Sequence, residues 1–476
     1  MLKPVLLLSA LVSLGAGLVP GAELPARVWQ VARPRPLVPG APKYSDVSMR
    51  SLRPHPARWN DPHDTLRAAQ ELHLTRLEWT YGLDRDFVTK AKALGLLVGG
   101  ALEDESPDAN GSRLLGRVTG EDGRLKKHKW FPEGRWVGCA NAPEFMEATS
   151  RQARLFIDAG VDVMQQDDPT MALHCEPPLC YCKYCRAAFV AYQREHGAQA
   201  SYEQFQKDSI MAYHRELHRR VDAYAGRHVP FSNNNAIGSH EALGWPTPAF
   251  DFVLAETDGK SVHPAEIYKK LAAAGGIPLE FQYRDTSVAH NRRGLAAFYA
   301  VGMSMLLPWD VYLTTGGRYF GKTEDYADLS GFIRANAQYL DGYEEAAAAG
   351  KGIGETRYGA RAPLRLEGGS GEAYAFARAR PGQTNAPVVI HLVEWATNAQ
   401  AFTLSLHTEN FTDRQHLRAR LRVPATYEPA LHQKAQESGD FSPLATETSP
   451  PTRQAGDYTV VQLPALRPWG ILVVEP

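Results

Sequence analysis

Residues 161–185, VDVMQQDDPTMALHCEPPLCYCKYC, end an apolar run in two adjacent carboxylates, Asp167 and Asp168, and follow them with Cys175, Cys180, Cys182 and Cys185. An apolar run closing in acids is the pattern of a buried parallel strand leaving the core at a cleft. Glycosidic cleavage suits such acids: one carboxyl protonates the leaving oxygen, and a second attacks the sugar or activates water. Strand alternation turns Asp167 and Asp168 to opposite faces as long as the chain stays extended. Comparable strand ends carry Glu256 with Asp258, Glu280 with Asp285, and Asp310. Any one of these acids alone also reads as a loop cap or a salt-bridge partner.

Eight apolar segments position these residues: 44–52, 74–81, 96–102, 161–168, 229–235, 252–258, 278–285 and 304–311. Most are separated by helical patterns, such as 143–159 with Phe145, Ala148, Ala153, Phe156 and Ile157 on one stripe and Gly160 as its stop. Eight parallel β/α units predict an α/β fold, a (β/α)8 TIM barrel over about 23–345. The charged stretch 103–137 reads as an insertion over the barrel mouth. After the Ala346–Ala349 run and Gly350, short alternating strands at 373–378, 388–393, 402–406, 417–423, 458–463 and 470–474 predict a C-terminal antiparallel β-sandwich over 350–476, with 432–454 a polar loop.

Aromatic residues near the strand ends, Trp79, Tyr81, Tyr283, Trp309 and Tyr312, offer flat faces for sugar rings, although each also suits ordinary barrel packing. Asn233 and its neighbours Asn234 and Asn235 offer amides to sugar hydroxyls, and equally suit a turn. Asp310 and Arg284 complete the expected substrate-binding set. Arg50 and Arg284 suit an acidic sugar, or pair with acids such as Asp285 or Asp310.

Cys180-x-Cys182-x-x-Cys185 is spacing at which three thiolates converge on one Zn²⁺ ion, with Cys139, Cys175 or His174 as the fourth ligand. Five cysteines also allow two disulfides with one thiol left over. The odd count and the tight motif favour a structural zinc ion. No organic cofactor is indicated.

Cys139-Ala-Asn-Ala-Pro-Glu-Phe145 before a helix, the strand end Gln166-Asp167-Asp168, and Cys180-Tyr-Cys182-Lys-Tyr-Cys185 with Phe189 together resemble the family 42 β-galactosidases and related barrel glycoside hydrolases. The resemblance covers roughly 135–190 well and 275–285 weakly. It implies that Cys139, Cys180, Cys182 and Cys185 hold a structural zinc, that Asp168 is the acid/base, and that Glu280 is the strand-seven nucleophile. The family's Asn-Glu is replaced here by Asp-Asp-Pro. An arrangement similar to that of α-galactosidase-like barrels would instead make Asp168 the nucleophile and Glu256 the proton donor. A water-activating role for Asp167 stays open.

Residues 1–22 read as a cleaved signal peptide, with Lys3, an apolar run to Val19 and Pro20-Gly21-Ala22, so a secreted or periplasmic product without a stable membrane anchor is expected. The 52 basic and 53 acidic residues nearly cancel, which argues against a nucleic-acid partner. The sequence therefore predicts a secreted glycoside hydrolase acting on a carbohydrate. The alternative is a barrel that binds carbohydrate without cleaving it.

Overall fold

A computed structural model describes residues 27–36, 38–50, 62–81, 84–105, 112, 114–129, 131–234, 245–257, 262–273, 279–282, 285, 287–307, 322–359, 361–412 and 417–475. Eight strands form the N-terminal sheet: β1 (Ser48–Arg50), β2 (Arg76–Thr80), β3 (Leu97–Leu102), β4 (Val163–Gln166), β5 (Phe231–Asn233), β6 (Phe252–Glu256), β7 (Leu279–Gln282) and β8 (Ser304–Leu307). They run parallel, pair in sequence order and close through β8 back to β1. Every expected segment contains its strand.

The crossover helices follow from the same patterning. Pro143–Asp158 starts on proline, where no helical N–H is lost, and buries Phe145, Ala148, Ala153 and Phe156. Ser201 and Ser287 cap Tyr202–Ala225 and Val288–Val301 by accepting from the backbone N–H groups of Gln204 and His290. None of the described helices is long and apolar enough to cross a membrane.

Inside the barrel lies a buried charged layer. The Arg76 Nε donates to Glu78 Oε1 at 2.7 Å, its Nη1 reaches Asp46 at 3.5 Å, and Glu280 completes the group. Gly99 on β3 makes room for it, since a Cβ there would stand 2.1 Å from Glu78 Oε2.

The C-terminal part is two antiparallel sheets. One orders β10 (Leu364–Gly368), β13 (Phe402–His407), β17 (Tyr458–Leu463) and β16 (Thr452–Ala455); the other orders β15 (Ala445–Thr448), β14 (Arg418–Pro424), β18 (Trp469–Glu475), β12 (Val388–Glu394), β11 (Ala373–Ala379) and β9 (Glu344–Ala349). The Ala346–Ala349 run, expected at the junction, is thus an edge strand of the larger sheet; small methyl side chains let it pack tightly against β11. The stretch 432–454 is likewise not a loop: it carries most of helix Pro429–Ser438, then β15 and the first residues of β16. One apolar core joins barrel and sandwich, with Trp469 of β18 against Phe332 and Tyr299 at ring distances of 5.1 and 6.0 Å.

Candidate active site

The mouth of the barrel gathers three acids from β4 and β6. Asp167 follows β4 directly and continues its ladder, its N–H bonding Leu102 O at 2.8 Å. Three donors hold its carboxylate: the Tyr81 hydroxyl on Oδ2, and on Oδ1 both Asn234 Nδ2 at 2.6 Å and the Asp168 N–H at 3.1 Å. Asp168 then takes a left-handed backbone, φ 48°, one of the few non-glycine residues to do so here. That turn ends the alternation that would have sent the two side chains to opposite faces, so Asp168 joins the same cluster.

Asp168 is almost buried, 8% exposed. Burial pushes its carboxyl well above the usual carboxylate range, and the Asp167 and Asp104 carboxylates add to this against the pull of His128. Asp104 and His128 form a fully buried pair, with His128 Nε2 to Asp104 Oδ2 at 2.7 Å. The Asp104, His128 and Asp168 ligand atoms all lie within 4.8 Å of one another, and His174 Nδ1 is 3.9 Å from Asp168 Oδ1. Glu256, at the end of β6, stands among the charges that act on Asp168 and pairs with Arg50 Nη1 at 3.7 Å. Arg135 crosses from the inserted segment to bind Glu103 and Glu105.

Other expected site residues lie elsewhere. Glu280 does not join this cluster: β7 points it into the barrel, where it is fully buried with Arg76 and Glu78. Burial, and then the Glu78 carboxylate, push it up to about 8. Trp79 is 1% exposed and so presents no open platform. Arg50 covers its ring at 3.9 Å, and its Nε1 donates to the Tyr81 hydroxyl at 2.7 Å, so it props Tyr81. Asn233 is fully buried inside β5, and the amide that reaches the site belongs to Asn234, one pleat further. Tyr283, Arg284, Trp309 and Asp310 lie outside the described residues, as do Asp258, Asn235, Tyr312 and residues 1–22. Glu103, Asp104, His128 and Arg135 were not singled out from the sequence. The acids of Glu103-Asp104-Glu105 directly follow β3, the signal that could have found them.

Cys139, Cys180, Cys182 and Cys185 converge beside this site, all with free thiols. Cys139 Sγ lies 3.7, 3.5 and 3.4 Å from the sulfurs of Cys180, Cys182 and Cys185. Those separations are far beyond a disulfide bond and close to the spacing of about 3.8 Å between sulfurs set tetrahedrally about 2.3 Å from one metal ion. The group could therefore hold a metal. Asn141 Nδ2 donates to Cys185 Sγ at 3.3 Å, an outer hydrogen bond of the kind metal thiolates receive. Cys175 stays apart, its Sγ 3.9 Å from Met171 O.

No known protein-family profile matches the sequence, and no curated protein sequence matches it. Solved structures do. An alpha-amylase from H. orenii superposes with a TM-score of 0.54 at 10% identity, covering 90% of this chain and 99% of that one. An Anoxybacillus alpha-amylase gives 0.54 at 9%, over 91% and 98%. A Nostoc punctiforme debranching enzyme gives 0.51 at 10%, over 90% and 98%. The fold that these structures share with this chain is a (β/α)8 barrel followed by antiparallel sheets.

Proposed function

We propose that the protein is a glycoside hydrolase in which Asp168 donates the proton to the leaving oxygen and Glu256 is the facing carboxylate. Asp167, oriented by Tyr81, Asn234 and the Asp168 N–H, holds a sugar hydroxyl or a water. The observation that carries this reading is that three acids meet at one barrel mouth in different environments: Asp168 buried, Asp167 held by three donors and Glu256 partly exposed beside Arg50. A pair of carboxyl groups set apart by their surroundings is how one site supplies both an acid and a nucleophile or base. The likeness to alpha-amylases and a debranching enzyme points the same way.

In the reaction, the glycosidic C–O bond breaks as the Asp168 proton moves to the departing oxygen, and Glu256 faces the positive charge developing on the sugar. The test is sugar release from chromogenic glycosides and extracted polysaccharides. Asp168→Asn and Glu256→Gln should each lower kcat by about 10²–10⁴ with an unchanged Tm. Undiminished release by both variants overturns the assignment. Glycan binding by the wild type with no sugar released would make it a binding barrel instead.

We further propose that Cys139, Cys180, Cys182 and Cys185 hold a structural zinc, the part of the family 42 resemblance that the sulfur geometry supports. Four thiolates fill a tetrahedral ion, so it would brace the site rather than act on the sugar. Export completes the reading, and a mature N-terminus near Glu23 would support it.

A further inference from the structure

The inserted segment supplies a buried imidazole beside the proposed proton donor. His128 is wholly buried, and both of its ring nitrogens face acceptors: Asp104 Oδ2 at 2.7 Å from Nε2, and the His174 carbonyl at 3.4 Å from Nδ1. A ring can donate to both only when both nitrogens carry protons. His174 stacks obliquely at 5.2 Å and Phe131 meets the ring edge-on at 4.9 Å. Among the described residues, the charged and titratable groups that act on Asp168 include Asp167, Asp104, His128, His174, Glu256 and the Cys175 thiol. Once Asp168 gives up its proton it is an anion among carboxylates.

We propose that Asp104 and His128 form a positioning dyad in which the His128 imidazolium, held by Asp104, stabilises the Asp168 carboxylate left after proton transfer. This rests on Asp168 being the proton donor. The proton leaves Asp168 for the glycosidic oxygen and returns from water at the end of the cycle; His128 keeps both of its own. Burial lowers the His128 pKa, but the Asp104 carboxylate more than offsets it and the group is pushed up to about 9, in keeping with a ring that stays charged through neutral pH.

The test uses the full chain with its cysteines intact. His128→Gln should cut kcat about tenfold or more with KM within about twofold, and move the alkaline limb of the pH–rate profile upward by about one unit or more. His128→Asn, likewise neutral, should move the limb the same way and serves if the first variant misfolds. A limb that stays in place in both overturns the dyad. Independently of any substrate, ¹⁵N shifts of His128 should show two protonated nitrogens up to about pH 8, and a neutral ring in Asp104→Asn. A ring already neutral at pH 7 overturns the proposal. So does loss of the Nε2 proton signal on adding one equivalent of Ca²⁺ or Zn²⁺, which would make Asp104, His128 and Asp168 a cation site. Because the ring measurement needs no glycan, it judges the dyad even if Asp168→Asn shows that the donor assignment fails.

Discussion

Tyr81 is the residue on which the site's geometry depends most directly. Its hydroxyl accepts from Trp79 Nε1 and donates to Asp167, while Arg50 packs against the Trp79 face, so one phenol links β1, β2 and β4. Tyr81→Phe keeps the ring and removes the relay. It should lower kcat about tenfold with little change in Tm, since a partly exposed hydrogen bond contributes only about 1 kcal/mol to stability; steady-state kinetics beside a thermal melt check both. At this scale the sequence was legible for types and blurred for orientation. Asp167, Asp168 and Glu256 stand at strand ends as expected. Which amide reaches them, Asn234 or Asn233, depends on a single pleat, and Asp168 turns in only because its backbone becomes left-handed. His128 was invisible because it arrives from a long insertion with no period to place it.

Between elements, β7 and the cysteine cluster make contrasting contributions. Glu280 has the sequence position of a strand-seven nucleophile, yet its strand turns it inward onto the Arg76–Glu78 pair. An acid whose folded pKa, about 8, lies above its usual 4.5 binds its proton more tightly when native. The stability it contributes is therefore full below about pH 4.5 and lost as pH rises through about 8. Glu280→Gln should retain turnover and flatten the fall in Tm between about pH 4.5 and 8, as scanning calorimetry at several pH values would show. The cysteines do the opposite work of tying two loops together. Cys139 directly follows the inserted segment, Cys180 and Cys182 lie in the loop after β4 and Cys185 in the first turn of the helix Lys183–His196, and the Tyr181 N–H bonds Thr119 O at 2.7 Å beside them. Cys182→Ser should therefore lose bound zinc, lower Tm by at least about 5 °C and reduce activity, because His128 and Asp168 sit on the two segments being joined. Elemental analysis, expected at one zinc per wild-type chain, measures the first of these.

Over the whole molecule, the fold was legible because its periods are strong: eight apolar runs gave the barrel, and the alternating runs after residue 370 lie on sandwich strands. The strands that were not anticipated, β9, β10, β15 and β16, are an alanine run or only four or five residues long, too short for a period of two to stand out. The same β9 ties the sandwich to the barrel. Its Glu344 accepts from the Tyr44 hydroxyl at 2.6 Å, and Arg378 of β11 stacks on Tyr44 at 4.4 Å while its Nε donates to the Tyr343 carbonyl at 3.1 Å. Gly302, just before β8, lets that arginine in: its φ is +94°, and a Cβ there would lie 1.7 Å from Arg378 Nη1. Gly302→Ala combines left-handed strain with displacement of a buried guanidinium, so it should cost about 2–4 kcal/mol. Because the core is continuous through Trp469, Phe332 and Tyr299, that loss should not uncouple the two halves. Calorimetry should show one transition in the wild type and one, at lower temperature, in Gly302→Ala. Two separated transitions in the variant would mean that the barrel and the sandwich fold on their own and merely touch.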